Sequence, residues 1–287
     1  MRAIYKNELR SYATNVTAYV FGAFILLFAG IYTFVYNLGH QVVNFEYVPG
    51  SMPYIFLVAV PILTMKVIAE ERKQRTDQLL YSLPVSMTKI ITGKYLAMLT
   101  VFAVPNLIIC TYPLILKQYG HVNLLTSYSS MLGFFCLGAA LMAVGMFISS
   151  LTESQPVAAG ICFITMLVNY YLSSLMSFVS GTAKASMQAL VVSALVIGAL
   201  IYIMTKSAEA ALGVAVVLDA IIVITYRMDS SKYEGLMAKV IDKLCLFDRF
   251  HSFYEGRFDL TVLIFYATVI GVFLFLTVQS MEKRRWS

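Results

Sequence analysis

The chain has 287 residues, 60% of them hydrophobic and only 13% charged, with a mean hydropathy of +0.78. A soluble domain is about one quarter charged, and a chain of this length has too little interior to hide so much apolar side chain, so a bilayer must hide it. The net charge of +6 is scattered over short gaps between apolar runs, which argues against nucleic acid as a partner and fits an anionic membrane face.

The first element, residues 1–14, reads as a short amphipathic helix at the inner face, with Ile4, Tyr5 and Leu9 opposite Lys6 and Arg10. This polar opening is too long and too acidic for a signal-peptide n-region, so the apolar run after it is expected to stay as a first span. A span needs about 20 apolar residues. The sequence predicts eight, at 17–36, 53–69, 94–116, 128–150, 156–178, 187–205, 208–226 and 260–280. Pro53 suits the first turn of the second, while Pro61, Pro105 and Pro113 fall inside apolar runs and shape helix packing.

Lys and Arg set the orientation. With the N-terminus in the cytoplasm, the inner side collects Arg2, Lys6, Arg10, Lys66, Arg72, Lys73, Arg75, Lys89, Lys94, Lys206, Lys283, Arg284 and Arg285. Short outer loops keep only Lys117 and Lys184. Eight spans return the C-terminus to the same side.

Between the second and third spans lies the cytoplasmic segment 69–93. Glu71 stands four residues before Arg75, a stabilising helical pair, and apolar residues recur at Ile68, Leu79, Leu80 and Leu83. Pro84 forces an extended residue before it, and Ser86 is positioned to cap a second short helix. The expected form is a helix, an elbow exposing Leu83 and Val85, then a helix that re-enters the bilayer. Such exposed apolar residues either sink into headgroups or enter a groove of a soluble partner.

Further along, Gly138, Ala139, Gly145, Ser149 and Ser150 are small enough for close helix packing. The turn SLTESQP then makes a tight inner hairpin whose single charge, Glu153, is expected either to cap a helix or to touch a partner, with capping favoured. Asp219, inside an apolar run, is a candidate intramembrane polar site, either a proton or cation relay or a partner for a polar group on a neighbouring helix. Segment 227–259 carries Leu236, Val240, Leu244 and Phe247 at helical spacing and reads as an extracytoplasmic amphipathic helix, lying at the outer interface or against the spans. Its aromatics Phe247, Phe250, Phe253 and Tyr254 suit the headgroup level. The cysteines show no CxxC spacing and His40, His121 and His251 form no metal motif. Nothing in the sequence has the pattern of a nucleotide cradle or a catalytic triad.

The elbow resembles the cytoplasmic loop of ABC-2 type permease subunits. It carries the acidic-basic run Glu70-Glu71-Arg72, then Leu79-Leu80, Leu83-Pro84-Val85-Ser86 and Gly93-Lys94. Arg75-Thr76 stands where that loop usually has Gly-Thr. MRAIYKNELRSY, SSLTESQPVAA and the ending FDRFHSFYEGRFDL with FLFLTVQSMEKRRW are similar to the gliding-motility-associated subfamily of these permeases. The resemblance implies an all-α, polytopic permease, a single transmembrane domain over 1–287, with six spans plus an inserted pair at 187–226. It implies a non-catalytic half-transporter in the bacterial inner membrane that pairs with a second permease subunit, identical or homologous. Two copies of an ABC ATPase subunit would bind beneath and hold ATP and Mg, with no cofactor in this chain. Glu70, Glu71, Arg72, Leu79, Leu83, Pro84, Val85 and Ser86 would couple to the ATPase. The competing classes are a proton-coupled secondary transporter that uses Asp219, and a non-transporting scaffold for cytoplasmic proteins.

Overall fold

A computed structural model describes residues 2–75, 85–176 and 244–285, and between them 182–184, 186–188, 190–191, 212–213, 216, 219–220 and 225–226. Among the described residues, six helices are long and apolar enough to cross a membrane: Val16–Gly39, Pro53–Lys73, Met87–Leu116, Leu124–Leu151, Gln155–Leu172 and Leu260–Lys283. They are numbered spans 1 to 6, and they fall where hydropathy predicts. The pair predicted at 187–205 and 208–226 lies outside the described residues, apart from isolated positions.

The described helices begin, in order, with α1 Arg2–Thr14, α2 Val16–Tyr32, α3 Tyr47–Ser51, α4 Phe56–Thr64, α5 Ala69–Lys73, α6 Met87–Ile109, α7 Tyr112–Leu116, α8 Leu124–Leu151 and α9 Gln155–Met176, of which α1 and α3 lie outside the spans. Two four-residue turns, α10 Leu246–Arg249 and α11 His251–Tyr254, lead into α12 Leu260–Arg285. The chain forms two compact units, residues 1–168 with 249–287, and residues 169–248.

Span 4 is the centre of the first unit. Within its apolar stretch 78% of residues are buried, against 17% in span 1. The cause is the run of small residues the sequence picks out. A Cβ at Gly138 would lie 2.5 Å from the Phe102 ring, and one at Gly145 would lie 2.6 Å from Thr64 Oγ1. Spans 2 and 3 therefore approach the α8 backbone as only small residues permit. Tyr95 adds a 2.9 Å hydrogen bond to the Ala139 carbonyl. Phe56 stacks on Phe134 with ring centroids 4.6 Å apart, and Phe102 completes the cluster.

Span 2 is not one continuous helix. α4 carries Pro61 and stops at Thr64; residues 65–68 turn, and α5 resumes at Ala69. A break frees backbone donors that burial makes costly. Ser149 of α8 takes them up. Its Oγ accepts the N–H groups of Ile68 and Ala69 at 3.3 and 3.2 Å and donates to the Met65 carbonyl at 3.4 Å.

Two expectations about helices change here. The residues after Ser86 do not form a short helix followed by a re-entry: Met87–Ile109 is one helix that runs through Pro105, because Met87, Ile90, Ile91 and Gly93 are already buried in its first turns. The described part of segment 227–259 takes the placement against the spans, and its aromatics do not sit at headgroup level. Phe250 and Phe253 are 2% and 0% exposed, Phe253 lies over Gly133, and the Phe250 ring is 6.4 Å from that of Phe134. These aromatics fill a glycine notch on α8 and belong to the core.

In the second unit, Asn169 ties the end of α9 to the later chain. Its Nδ2 donates to the Leu244 carbonyl and its Oδ1 accepts the Leu246 N–H, each at 3.1 Å. Tyr170 meets Phe247 edge-on, with centroids 5.2 Å apart.

Ser149→Ala strips the acceptor from two buried N–H groups and is expected to cost about 1–3 kcal/mol, read as a lower unfolding midpoint in detergent. Gly145→Val overpacks the contact with Thr64 and is expected to cost at least as much, about 1–3 kcal/mol or more, with loss of monodisperse protein on size exclusion.

Candidate functional site

α1 lies against α6 and α2 and delivers the site's first acid. Glu8 is the only carboxylate in its sequence RAIYKNELRSYAT. The helix docks because Gly93 of α6 leaves room for Ile4, whose Cγ2 lies 3.3 Å from where a Cβ would sit, and because the Tyr5 and Thr100 hydroxyls hydrogen-bond at 2.9 Å. The chain turns at Asn15, whose Oδ1 accepts the Thr17 N–H and caps α2.

This docking seals Lys94 inside. Its side chain is 3% exposed, and its Nζ is 2.7 Å from Glu8 Oε1 and 2.5 Å from Glu71 Oε1. An ammonium so far from water requires charged partners. Here they come from two other elements, α1 and α5. Beside the triad is a polar cavity of about 310 Å³, lined by Glu8, Tyr12, Lys66, Glu70, Glu71 and Lys94 among others. Lys66 donates to Thr17 Oγ1 at 3.0 Å, and Gln74 donates to Glu70 at 3.4 Å. Burial, reinforced by the facing carboxylates of Glu8, Glu71 and Glu70, holds the Tyr12 phenol well above its ordinary range, so it stays a neutral hydroxyl.

Of the residues singled out in the cytoplasmic segment, Glu70 and Glu71 line this cavity. Arg72 turns the other way, 4% exposed, with Nη2 donating to Met281 Sδ of α12 at 3.3 Å. The expected Glu71–Arg75 helical pairing is replaced. α5 ends at Lys73 and Arg75 takes φ +56°, off the helical register, while Glu71 reaches Lys94. Val85 is half-buried, and Ser86 is the N-cap of α6 by backbone geometry, without a side-chain capping bond. Leu79, Leu83 and Pro84 lie outside the described residues. Asp219 is helical and half-buried, and its Oδ1 is shielded from solvent without a hydrogen-bond partner among the described residues.

Sequence reasoning counts Lys94 as one more inner-face charge and gives Glu8 no role. The signal was present as a lone acid on α1 and a lysine two turns into an apolar helix, directly after the glycine on which α1 rests. What no pattern supplies is that these positions, 86 residues apart, meet.

Residues 2–190 match the family described as ABC-2 family transporter protein. The chain belongs to the ABC-2 transporter family. It is a multi-pass membrane permease, a non-catalytic transport subunit, with an all-α fold that includes six apolar spans among the described residues. The matched stretch takes in spans 1 to 5 and every member of the Lys94 triad. Permeases of this family typically pair with ATPase subunits and a second permease. No curated protein sequence matches the permease.

Removing the ammonium takes away the charge that the Glu8 and Glu71 carboxylates share. Lys94→Met is therefore expected to destabilise the permease by about 3–5 kcal/mol. The triple variant Lys94→Met, Glu8→Gln, Glu71→Gln is expected to recover most of that loss. Chemical unfolding in detergent, followed by tryptophan-independent circular dichroism, checks both.

Proposed function

We propose that the permease is one membrane half of an ATP-driven exporter in the bacterial inner membrane, with both termini in the cytoplasm. A second permease subunit, identical or homologous, completes the pathway, and two ATPase subunits dock beneath, carrying the ATP and Mg. The chain itself holds no cofactor. The concentration of Lys and Arg at one end of the spans supports the orientation. The similar opening and ending sequences support membership of the gliding-motility-associated subfamily, without implying that motility is the process served.

The observation that carries this reading is the Lys94 triad. Glu71 of α5 and Lys94 of α6 stand on either side of the elbow at Leu83-Pro84-Val85-Ser86, and they are bonded to each other. A push on the elbow from closing ATPases therefore reaches spans 2 and 3 as one body. Glu8 holds α1 to the same ammonium, so the amphipathic helix follows. Glu70 extends the charged face of α5, and Arg72 carries the displacement to α12 through Met281. Leu79, Leu83 and Val85 supply the apolar contact with the ATPase groove.

Leu83→Asp with Val85→Asp is expected to abolish co-purification of the ATPase while the permease keeps its unfolding midpoint. Unchanged co-purification together with unchanged ATP-dependent activity overturns the reading. In the same assay Asp219→Asn is expected to leave ATP-driven activity within about twofold, since this half-buried acid stands outside the drive path that runs from the elbow through the Lys94 triad. Transport that survives loss of every ATPase and fails in Asp219→Asn identifies a proton-coupled carrier instead.

A further inference from the structure

The whole-chain charge count hides a local pattern on α1. Arg2, Lys6 and Arg10 recur every four residues and are all exposed. At 3.6 residues per turn they share an arc of roughly 80° on one flank of the helix. Glu8 lies on the opposite flank, where it is taken up by Lys94. The basic stripe therefore has no carboxylate of its own helix to neutralise it, and no ion pair among the described residues involves any of the three.

Two apolar grooves open beside this stripe. One, of about 500 Å³, runs between α1, α2 and α6 past Leu9, Ala13, Gly22, Leu26 and Val104. The other, of about 460 Å³, is bordered by Arg2 and Tyr5 and floored by Leu96, Ala103 and Phe135. Thr100, whose hydroxyl bonds that of Tyr5, lines both. On the helical arc, Leu9 and Ala13 adjoin the basic flank, so cationic and apolar surfaces form one continuous strip. Both grooves are within the ~300–1,000 Å³ range of small-ligand sites.

We infer that α1 and the two grooves form a binding site for an anionic diacyl phospholipid of the surrounding membrane. The headgroup phosphate sits against Arg2, Lys6 and Arg10, and an acyl chain lies in each groove. Charge complementarity selects the headgroup, and the grooves demand chains. A free phosphate satisfies only the first requirement and a neutral lipid only the second.

The test uses the full chain purified in neutral detergent and stripped of lipid. Phosphatidylglycerol and phosphatidylcholine with matched acyl chains are titrated in mixed micelles, with unfolding midpoint and lipid retained in native mass spectrometry as readouts. Phosphatidylglycerol is expected to bind roughly 10- to 100-fold more tightly. The variant Arg2→Gln, Lys6→Gln, Arg10→Gln is expected to abolish that preference without moving the lipid-free midpoint, because all three side chains are exposed. Lys6→Gln alone is expected to reduce it. Gly22→Phe grows into open space, with nothing within 4 Å of its Cβ, and is expected to weaken uptake of both lipids. Equal affinity for the two lipids overturns the inference, as does a triple variant that keeps the preference. Stabilisation by inorganic phosphate alone overturns it too. So does a Gly22→Phe variant that changes the permease's association state while lipid uptake is unaltered, since the groove then belongs to a second copy.

Discussion

A lysine that cannot reach water organises one end of this permease. Lys94 is the one charged residue on the buried face of α6, and that charge is tolerated because Glu8 and Glu71 converge on it. That requirement fixes three things at once. It draws α1 onto α6, it sets the rotation of α5, and it leaves a polar cavity where Glu70, Lys66 and Tyr12 gather. A buried ion pair of this kind adds little net stability compared with an apolar replacement, but it discriminates sharply among arrangements, because any alternative leaves a charge alone.

The packing deeper in the first unit follows a different rule. Lipid tails are as apolar as leucine, so hydrophobicity does not drive spans together; close contact does. Glycine notches on α8 receive Phe102, Thr64 and Phe253, and the hydroxyl of Ser149 completes the broken backbone of span 2. The same helix thus supplies both the smooth surface that neighbours slide against and the one polar group that arrests span 2 at its break. The discontinuity lies directly before α5, so the element that carries Glu70, Glu71 and Arg72 is set apart from the rest of its span.

The six described spans were legible in the sequence because a bilayer imposes a length and an apolar composition that survive any detail of packing. The small residues of α8 were legible as packing residues for a similar reason: a glycine in a long apolar run has few other uses. The partner of Lys94 was not legible, since Glu71 has a helical candidate nearer in sequence at Arg75, and only the left-handed φ of Arg75 removes it. The burial of Phe250 and Phe253 was hidden as well. Aromatics close to charged residues look the same whether they face headgroups or a notch on a neighbouring helix, and the notch at Gly133 is more than a hundred residues away. Val85 was expected to be exposed at the elbow and is half-buried, which depends on tertiary neighbours that spacing does not encode.

Asn169 has a consequence for how this protein can vary. One amide fixes the end of α9 to Leu244 and Leu246, chain positions 75 and 77 residues further on. Two chain positions far apart in sequence are thus held to one side chain. Closing a longer or shorter connection between them costs entropy that grows only logarithmically with its length. The number of residues between Asn169 and Leu244 is therefore weakly constrained by stability, whereas Asn169 itself is strongly constrained, because no other side chain type offers the same donor and acceptor pair at that reach.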